Sequence, residues 1–583
     1  MDTFPRRELL GLFAASMGTL SGCKFVSQNS SPNMKPSKTQ SSNQRTDTEI
    51  ITTRTQLETA FDELTPGDTI EISDKNAPYR TTKWLDIDVD GVTVVGPGVQ
   101  NLIKPANGAN VGGIRIGHHS RCHEIDIRGI GYYGNPSGQK KSANRLHGIS
   151  IRNATNVTIE RNQIRKTHPK KHGNGGSGIS VTPKCSDIRI SNNQIHDFGD
   201  RGIQLGGKRL TVFGNVVTRG LDRPIACDLW YPGSNNSTAQ SVSIFGNLLG
   251  NSAEGSLIGV ARNTPLKTNK GYVNIFGNVG FGSHKSFCHI RGPEKLQNIS
   301  VQNNVSTQKS DGLKTEKTKQ FAGIAVDVAK GENLAIKNNE LYSYSGHGIH
   351  IKSEISDLAI QNNSIFSAGL VGVRLVDGTC GLVDNNLITG TTKTGIQLKN
   401  TSNIVIRGNY LRKIGTVGIK SSGSKSATDN DITSNYILCT KDNSKKTYPA
   451  IKIDDTENRV RGNTIRQNET VAIVESTNAG NNIYENNLAD GDNPWEITSP
   501  TSIVRDHTPP AGTYRELSTG SNSKKRTIEF ERRYAQLPRL TFGRGKTAIE
   551  DLSYRTDDDG DFTGVDITVS DEDTTIDLFV DDH

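Results

Sequence analysis

The chain has 583 residues, of which 32% are hydrophobic and 60 are glycine, and its formal net charge at pH 7 is +8. This hydrophobic share is low for a set of ordinary globular domains, whereas a narrow repetitive fold with polar turns needs little more. Three methionines and the lack of a His-rich tract argue against a metal-handling protein. No stretch beyond the N-terminal segment is long and apolar enough to span a membrane, and the positive charge favours an acidic partner.

The chain begins with a segment typical of export signals. A twin arginine at Arg6-Arg7 precedes a short apolar run from Leu9 to Leu20, and Leu20-Ser-Gly-Cys23 is similar to the lipobox of prokaryotic lipoproteins. The similarity implies a twin-arginine signal peptide over residues 1–22 and lipidation of Cys23; the alternative is an unprocessed apolar start. Residues 23–49, rich in Ser, Asn, Gln, Thr and Lys, predict a flexible tether. We therefore expect an exported protein, anchored to the outer face of the cytoplasmic membrane or the cell surface by lipid alone.

A short helix is predicted next, because Leu57, Ala60, Phe61 and Leu64 are spaced as on one helical face. The phrase Pro66-Gly-Asp-Thr-Ile follows it directly. Such a helix can cover the open end of a repetitive fold, whose apolar interior and strand edge would otherwise face water.

One phrase then recurs along most of the chain. It reads apolar-x-apolar-x-(Asn/Gly)-Asn-x-apolar, as in Ile188 to Ile195 and Leu358 to Ile365, and its Asn recurs at intervals of 22 to 35 residues. A second phrase, Gly-Ile-x-apolar, falls between the copies, as in Gly148 to Ile151 and Gly348 to Ile351. Each unit predicts two or three very short strands, and the period predicts a β-solenoid whose stacked turns bury a continuous core. The recurring residues are Asn162, Asn193, Asn215, Asn247, Asn278, Asn304, Asn339, Asn363, Asn386, Asn409, Asn435, Asn463 and Asn487.

The recurring Asn is assigned to structure, not to catalysis. We expect it at the turn between two strands, in the left-handed backbone region, with its amide hydrogen-bonded to the Asn one turn away. Over roughly residues 50 to 500 the chain thus resembles the right-handed parallel β-helix family, which includes pectate lyases, other polysaccharide lyases, polygalacturonases and surface proteins. The resemblance implies an all-β, right-handed parallel β-helix over residues 50–493, with the short helix as its N-terminal cap.

The repeat stops after Asn487, and the C-terminal part has another character. Residues 494–511 are rich in Pro and Thr and predict a linker. Residues 512–583 contain alternating apolar runs among many acidic residues, which predicts a small antiparallel β-sandwich. An EF-hand loop starting at Asp557 is excluded because its twelfth position is Thr568, and an Asp-Gly hairpin turn is favoured instead. Sugar binding, oligomerisation and capping of the solenoid all remain open for this domain.

Irregular insertions interrupt the repeat at residues 129–146, 168–176, 221–240 and 308–320. Loops from successive turns of a solenoid can gather on one face, so the first three insertions are the predicted walls of a groove. The later turns, from Gly323 to Asn487, are more regular and are expected to be structural. The segment from Gly134 to His172 is rich in Lys, Arg and His, with Glu160 as its single acid. Such a positive groove suits an anionic polysaccharide, the alternative being a merely solvated basic face.

Candidate site residues follow from the chemistry of β-elimination, which needs a cation to neutralise a uronate carboxylate and a base to remove the adjacent proton. Tyr132 and Tyr133 also fall in an insertion, where aromatic rings can stack on a sugar. The candidate catalytic residues are Lys171, His172, Arg201 and Arg223. The candidate substrate-binding residues are Lys140, Lys141, Arg145, His147, Lys170, Trp230 and Tyr231. Asp200, Asp222 and Asp228 are candidate calcium ligands, or hydrogen-bond acceptors for the two arginines.

The sequence leaves three functions open. The first is a carbohydrate-active enzyme, a pectate lyase-like polysaccharide lyase that cleaves an acidic uronate polysaccharide, with calcium as the one cofactor considered and no nucleic acid as partner. The second is a non-catalytic polysaccharide-binding or adhesin-type surface solenoid. The third is a polygalacturonase-like hydrolase, because Gly346-His347-Gly348 with Ile351-Lys352 resembles two fragments of that signature. Its upstream paired Asp motifs are missing, which argues against inverting hydrolysis.

Overall fold

A computed structural model describes residues 48–140, 146–168, 176–228, 240–261, 272–292, 296–308, 321–423, 428–438, 448–466, 471–489, 495–505, 515–517, 525–534, 539–542, 549–557, 562–569 and 576–581. Three long parallel sheets, here called A, B and C, run through most of these residues. The chain visits them in the order A, B, C and then returns to A, so each passage adds one strand to each sheet. We call one such passage a rung.

The strands of each sheet are neighbours in the order of the chain. Sheet A has 18 strands: Thr48–Ile51, Thr69–Ile72, Thr93–Val95, Cys122–Arg128, Ala154–Glu160, Ser186–Ser191, Lys208–Phe213, Gln240–Phe245, Val273–Phe276, Leu296–Gln302, Lys330–Lys337, Glu354–Gln361, Thr379–Asp384, Ser402–Arg407, Asp431–Thr433, Arg459–Arg461, Ile483–Glu485 and Ile503–Arg505. Sheet B has 16 strands: Tyr79–Thr81, Ile103–Pro105, Gly131–Tyr133, Gln163–Arg165, Gln194–His196, Val216–Thr218, Leu248–Gly250, Val279–Ser283, Val305–Gln308, Glu340–Tyr342, Ser364–Phe366, Leu387–Thr389, Tyr410–Arg412, Tyr436–Leu438, Thr464–Arg466 and Leu488–Ala489. Sheet C has 16 strands: Leu85–Ile87, Ile114–Ile116, Ile149–Ile151, Ile179–Val181, Ile203–Leu205, Ile225–Asp228, Ile258–Ala261, Cys288–Gly292, Ile324–Val328, Ile349–Lys352, Val373–Val376, Ile396–Lys399, Ile419–Ser422, Ile451–Ile453, Ile473–Glu475 and Trp495–Glu496.

The core lies between the three sheets and is built from aligned columns of apolar side chains. In sheet C, Ile149, Ile179, Ile203 and Ile225 pair in register from rung to rung, and all four are buried. Each fully buried side chain of this size contributes about 1.5–3 kcal/mol to stability. Because strand residues alternate between faces, the residue between two buried ones points outward, where the solenoid meets its surroundings. The predicted parallel β-helix is confirmed.

The recurring Asn forms a ladder at the turn between sheets A and B. The Asn162 side chain donates from Nδ2 to Asn193 Oδ1 at 3.0 Å, and the same bond repeats through the column to Asn463 and Asn487 at 2.8 Å. The predicted ladder is therefore confirmed. Its expected backbone conformation is wrong, because the left-handed residue is the one before each ladder Asn, as at Asn362 with φ 54°. That position carries the sharp turn and so favours Asn or Gly, while the ladder Asn places its amide in the interior.

A helix, Arg54–Asp62, precedes the second rung. Thr53 caps its start by accepting a hydrogen bond from the Gln56 backbone N–H, and Leu57 and Phe61 are buried. The helix contacts strands Thr48–Ile51, Tyr79–Thr81 and Leu85–Ile87. Its role as a cap of the solenoid stays a prediction. In the described part of the chain, no helix has the length and apolar character needed to cross a membrane.

The C-terminal part forms two antiparallel sheets of three strands each. One joins Arg515–Leu517, Ile576–Asp581 and Arg539–Phe542, and the other joins Lys525–Tyr534, Phe562–Val569 and Ile549–Thr556. The domain boundaries and the sandwich arrangement of these sheets stay predictions.

Candidate functional site

The outer face of sheet C carries a column of aligned residues whose character changes along the solenoid. The first two strands carry the ion pair of Asp86 and Arg115, the third to seventh carry small or uncharged residues, and from the eighth strand onward the outward residues include histidine, arginine and lysine. In register they are Asp86, Arg115, Ser150, Ser180, Gln204, Ala226, Gly259, His289, Ala325, His350, Arg374, Gln397, Lys420, Lys452, Val474 and Glu496.

Three ionisable side chains lie close together on this face and form the histidine cluster: His347, His350 and Arg374. His350 and Arg374 are register neighbours on adjacent strands, and the His347 and His350 ring centroids are 4.6 Å apart. His347 is only 4% exposed, because it lies in the turn that enters the strand. Within the described residues, His347 Nδ1, His350 Nε2 and Arg374 Nε are buried without a hydrogen-bond partner. Three such nitrogens in one patch are costly for a fold and are typical of a site that receives a polar ligand.

Burial and positive neighbours keep both imidazoles neutral at neutral pH. Burial lowers the pKa of His347 to about 3, with smaller contributions from His350, Arg374 and Lys393. Burial likewise lowers the pKa of His350 to about 4, and Arg374 adds to this while Asp327 opposes it. A neutral imidazole can accept a proton, and the adjacent guanidinium can hold a carboxylate.

The cluster continues towards the N-terminus through His289 and Arg223. His289 lies on the same outward column, and burial lowers its pKa to about 4, helped by Arg291 and Arg223. The Arg223 side chain crosses the sheet at Gly259, where a Cβ atom would lie 2.4 Å from Arg223 Cδ. Gly259 thus leaves the space that lets this arginine lie flat on sheet C, beside the strand that carries His289.

Arg223 and Arg201, both predicted to be catalytic, occupy turns that lead into sheet C. Arg201 Nη1 lies 2.7 Å from Asp200 Oδ2, and Arg223 Nη1 lies 3.5 Å from Asp222 Oδ2. Each arginine is therefore paired with the acid that precedes it, as the hydrogen-bond alternative in the sequence suggested. The structure brings Arg223 towards His289.

Two predicted substrate-binding residues fall within the described residues. His147 is buried, and its Nδ1 accepts a hydrogen bond from the Ser177 backbone N–H at 3.0 Å, which gives it a structural contact between rungs. Lys140 is exposed, and its backbone N–H donates to Asn110 Oδ1. Tyr132, expected in an insertion, belongs instead to a strand of sheet B and is buried in the core.

The remaining predicted residues lie outside the described residues: Cys23, Lys141, Arg145, Lys170, Lys171, His172, Trp230 and Tyr231. Apart from Cys23, these residues belong to chain segments that connect strands of sheet C with strands of sheets A and B. Residues 134–148 and 166–178 lead from sheet B into sheet C, whereas residues 229–239 lead from sheet C to sheet A. The sheet C strands next to these segments are Ile149–Ile151, Ile179–Val181 and Ile225–Asp228, whereas the histidine cluster lies on the later strands Ile349–Lys352 and Val373–Val376.

The described carboxylates give a calcium ion little support. Asp200 and Asp222 each contact an arginine, whose charge opposes a cation, and only the backbone of Asp228 is described. Over the ranges that the structure describes, no three His, Cys, Asp or Glu side chains are placed to hold a metal ion together. No chemical step is therefore assigned to calcium.

A comparison of the sequence with known families decides the family. The family described as "Right handed beta helix region" matches residues 137–306 and 299–448, which together make up more than half of the chain. The chain belongs to the right-handed β-helix family. No curated protein sequence matches this β-helix protein.

Several solved structures are similar to this β-helix protein at low identity. An alginate lyase from Paenibacillus sp. str. FPU-7 is 15% identical, with 54% of this chain and 95% of that chain covered and a TM-score of 0.31. The Dettilon tailspike protein is 13% identical, with 91% and 90% covered and a TM-score of 0.32. The A-module of a mannuronan C-5 epimerase from Azotobacter vinelandii is 14% identical, with 73% and 95% covered and a TM-score of 0.28.

Sequence reasoning missed His289, His350 and Arg374, and it treated His347 as an ordinary turn residue. The signal was nevertheless present in the Gly-Ile-x-apolar phrase of this β-helix protein. Its third position points outward in sheet C, and that position holds His350 in one copy and Arg374 in the next. Comparing this position from copy to copy would have found the change from small residues to histidine and arginine.

Proposed function

We propose that this β-helix protein is an exported, lipid-anchored carbohydrate-active enzyme. It binds an acidic polysaccharide across the outer face of sheet C and cleaves it by β-elimination at His347, His350 and Arg374. The observation that carries the proposal is the placement of two neutral imidazoles, one buried and one half-buried, beside an arginine on the neighbouring strand of an outward face. This set joins a carboxylate binder to a proton acceptor, which are the two groups that β-elimination requires.

Each residue has a distinct task in this reaction. Arg374 binds the uronate carboxylate and neutralises it, which stabilises the charge that develops when the neighbouring carbon loses its proton. Neutral His350 takes that proton, the C–O bond to the leaving sugar breaks, and a C=C bond forms in the new chain end. The leaving oxygen then receives a proton from the protonated imidazole or from water. His347 packs against His350 and keeps the ring in place.

Hydrolysis by paired carboxylates fits this face less well. Such hydrolysis requires two carboxyl groups on either side of the scissile bond. Within the one column of register-aligned residues that contains His350 and Arg374, the acids are Asp86 and Glu496, at its two ends. Beside the cluster, Asp327 is the acid that acts on His350, and it is exposed.

A non-catalytic binding solenoid is the second candidate, and the length of the positive face favours it. Beyond Arg374 the outward column continues with Lys420 and Lys452, both within 3.3 Å of Asp454. A binder would use this whole face, whereas an enzyme needs it only to hold the polymer beside the histidines.

The test is near-ultraviolet absorbance of the full chain incubated with uronate polysaccharides, such as polygalacturonate and alginate, with calcium and then with chelator. We expect a rise, which reports unsaturated uronate, and we expect the rise to persist with chelator because Arg374 supplies the neutralising charge. Binding without unsaturated products or new reducing ends would favour the non-catalytic solenoid and overturn the enzyme.

A further inference from the structure

A second basic surface lies on sheet B, away from the histidine cluster. Its outward residues on five consecutive rungs are aligned with one another. They are Arg80, Lys104, Tyr133, Arg165 and His196. We call these five residues, together with Lys166, the Tyr133 ladder.

Two lysines converge on the single aromatic ring of this ladder. Lys104 Nζ lies 5.1 Å from the centre of the Tyr133 ring, and Lys166 Nζ lies 5.5 Å from it. Lys104 comes from the rung before Tyr133 and Lys166 from the rung after it. The ring therefore attracts both ammonium groups by cation–π interaction. Its role is to fix the positions of the Lys104 and Lys166 charges rather than to stack on a sugar.

The cations of the Tyr133 ladder lack the acids that neutralise arginines elsewhere on the solenoid. Arg115 and Arg209 each bind a carboxylate on a neighbouring rung at 2.6 Å. By contrast, no carboxylate among the described residues lies within ion-pair distance of Arg80, Lys104 or Lys166.

Arg165 also makes no ion pair among the described residues, although its charge helps to lower the pKa of the nearby Asp197, whose carboxylate pairs with Arg219. Arg165 Nη1 donates to Gln100 Oε1 at 2.6 Å, and its Nε is buried without a partner among the described atoms. Its charge also contributes, after burial and Arg219, to the lowering of the pKa of His196. Like charges on adjacent rungs repel one another. A bound anion that spans several rungs would relieve this repulsion.

We propose that the Tyr133 ladder is a second binding site, for a linear polyanionic polysaccharide. Strands in a sheet repeat at about 4.8 Å, so Arg80, Lys104 and Arg165 offer positive charge at multiples of this step, and Lys166 adds a further charge beside Tyr133. An extended polymer with a carboxylate or sulfate on each sugar can match those steps, whereas a single small anion can meet only one or two of them. The site holds the polymer on a face other than the one proposed for cleavage, and it does not depend on that proposal.

The first experiment is lysine footprinting of the full chain with dextran sulfate, which carries no uronate and so cannot undergo the proposed β-elimination. The lysines are acetylated with and without polymer, and modification is read by mass spectrometry. We expect protection of Lys104 and Lys166, and none of Lys208 and Lys337, which lie on sheet A. Uncharged dextran should protect none of them. Equal reactivity of Lys104 and Lys166 with and without dextran sulfate would overturn the proposal.

The second experiment compares two double variants with the same change in net charge. We expect Lys104→Ala/Lys166→Ala to bind dextran sulfate about tenfold or more weakly at low salt, with the difference shrinking as added salt screens the charges. Lys208→Ala/Lys337→Ala should bind like the unchanged protein. Equal losses in both variants would show that net charge alone governs binding and would overturn the site. Protection and weakening limited to anionic phospholipid vesicles would also overturn it, in favour of a membrane surface. If the site is confirmed while no polysaccharide yields unsaturated products, only the proposed enzyme fails.

Discussion

The imidazole rings of His347 and His350 lie with their centroids 4.6 Å apart on the outer face of sheet C, at an angle of 50°. Burial lowers the pKa of both rings, to about 3 and about 4, and Arg374 lowers each further. Because burial disfavours the charged form of both rings and the guanidinium disfavours a further positive charge, the two rings form a neutral pair. A neutral pair beside a fixed cation is suited to receive a carboxylate and then a proton.

The first prediction concerns the pH dependence of turnover. The acid limb of kcat/KM reports the pKa of the free enzyme's base. We expect that limb near pH 4, since the pKa of His350 is about 4, rather than near the 6.5 of an ordinary histidine. Initial rates from pH 3 to 8 measure it. An acid limb near pH 6.5 would mean that the base is an exposed histidine elsewhere.

The second prediction concerns the cation. Arg374→Ala removes the group that neutralises the carboxylate, and we expect kcat/KM to fall by about a hundredfold or more. The control is Arg412→Ala, which removes an exposed arginine from sheet B and should leave kcat/KM unchanged. Similar rates for both variants would place the carboxylate binder outside the cluster.

The third prediction concerns stability in acid. The pKa of His347 is lowered in the folded state, so the unfolded chain takes up the proton first as pH falls through 6.5. The free energy of unfolding therefore has its full value, as far as His347 is concerned, above pH 6.5 and decreases as the pH falls towards 3. The decrease due to His347 is about 3 kcal/mol between pH 7 and pH 4. Denaturant unfolding of His347→Gln should therefore show a weaker loss of stability over this range.

His119→Gln, at an exposed site, is the control for this measurement and should keep the full loss between pH 7 and pH 4. An identical pH dependence of unfolding in His347→Gln and the unchanged protein would contradict the buried, neutral state of His347.

The fourth prediction concerns the ladder. Asn363 Nδ2 donates to Asn386 Oδ1 and to the Ile336 carbonyl, and Asn363 Oδ1 accepts from Asn339. Asn363→Ala leaves buried partners unsatisfied, and we expect a loss of about 2–4 kcal/mol in the free energy of unfolding. The control is Asn362→Gly at the left-handed position, where Gly fits and the change should be within about 1 kcal/mol. Equal effects of the two substitutions would show that the turn, not the ladder, governs stability.

The sequence predicts the solenoid because its signals are local and repeated. The Asn ladder and the apolar columns follow from phrases that return in most rungs, so one copy predicts the others. The left-handed residue was placed one position too late, since Asn suits both positions of a turn such as Asn362-Asn363. The cluster was harder to find because His350 and Arg374 meet only once the register of two strands is known. Arg223 reaches the same face by crossing Gly259, and no spacing in the sequence encodes that contact.

The most direct test of the account measures turnover and binding together in His350→Gln. The rate of unsaturated-uronate formation at saturating polymer is compared with that of the unchanged protein, and polymer affinity is measured by sedimentation with the same samples. We expect the rate to fall by at least about a hundredfold while the affinity stays nearly unchanged, because His350 acts on the proton and Arg374 holds the carboxylate. A His350→Gln protein that forms unsaturated products at the unchanged rate would contradict the assignment of β-elimination to this cluster.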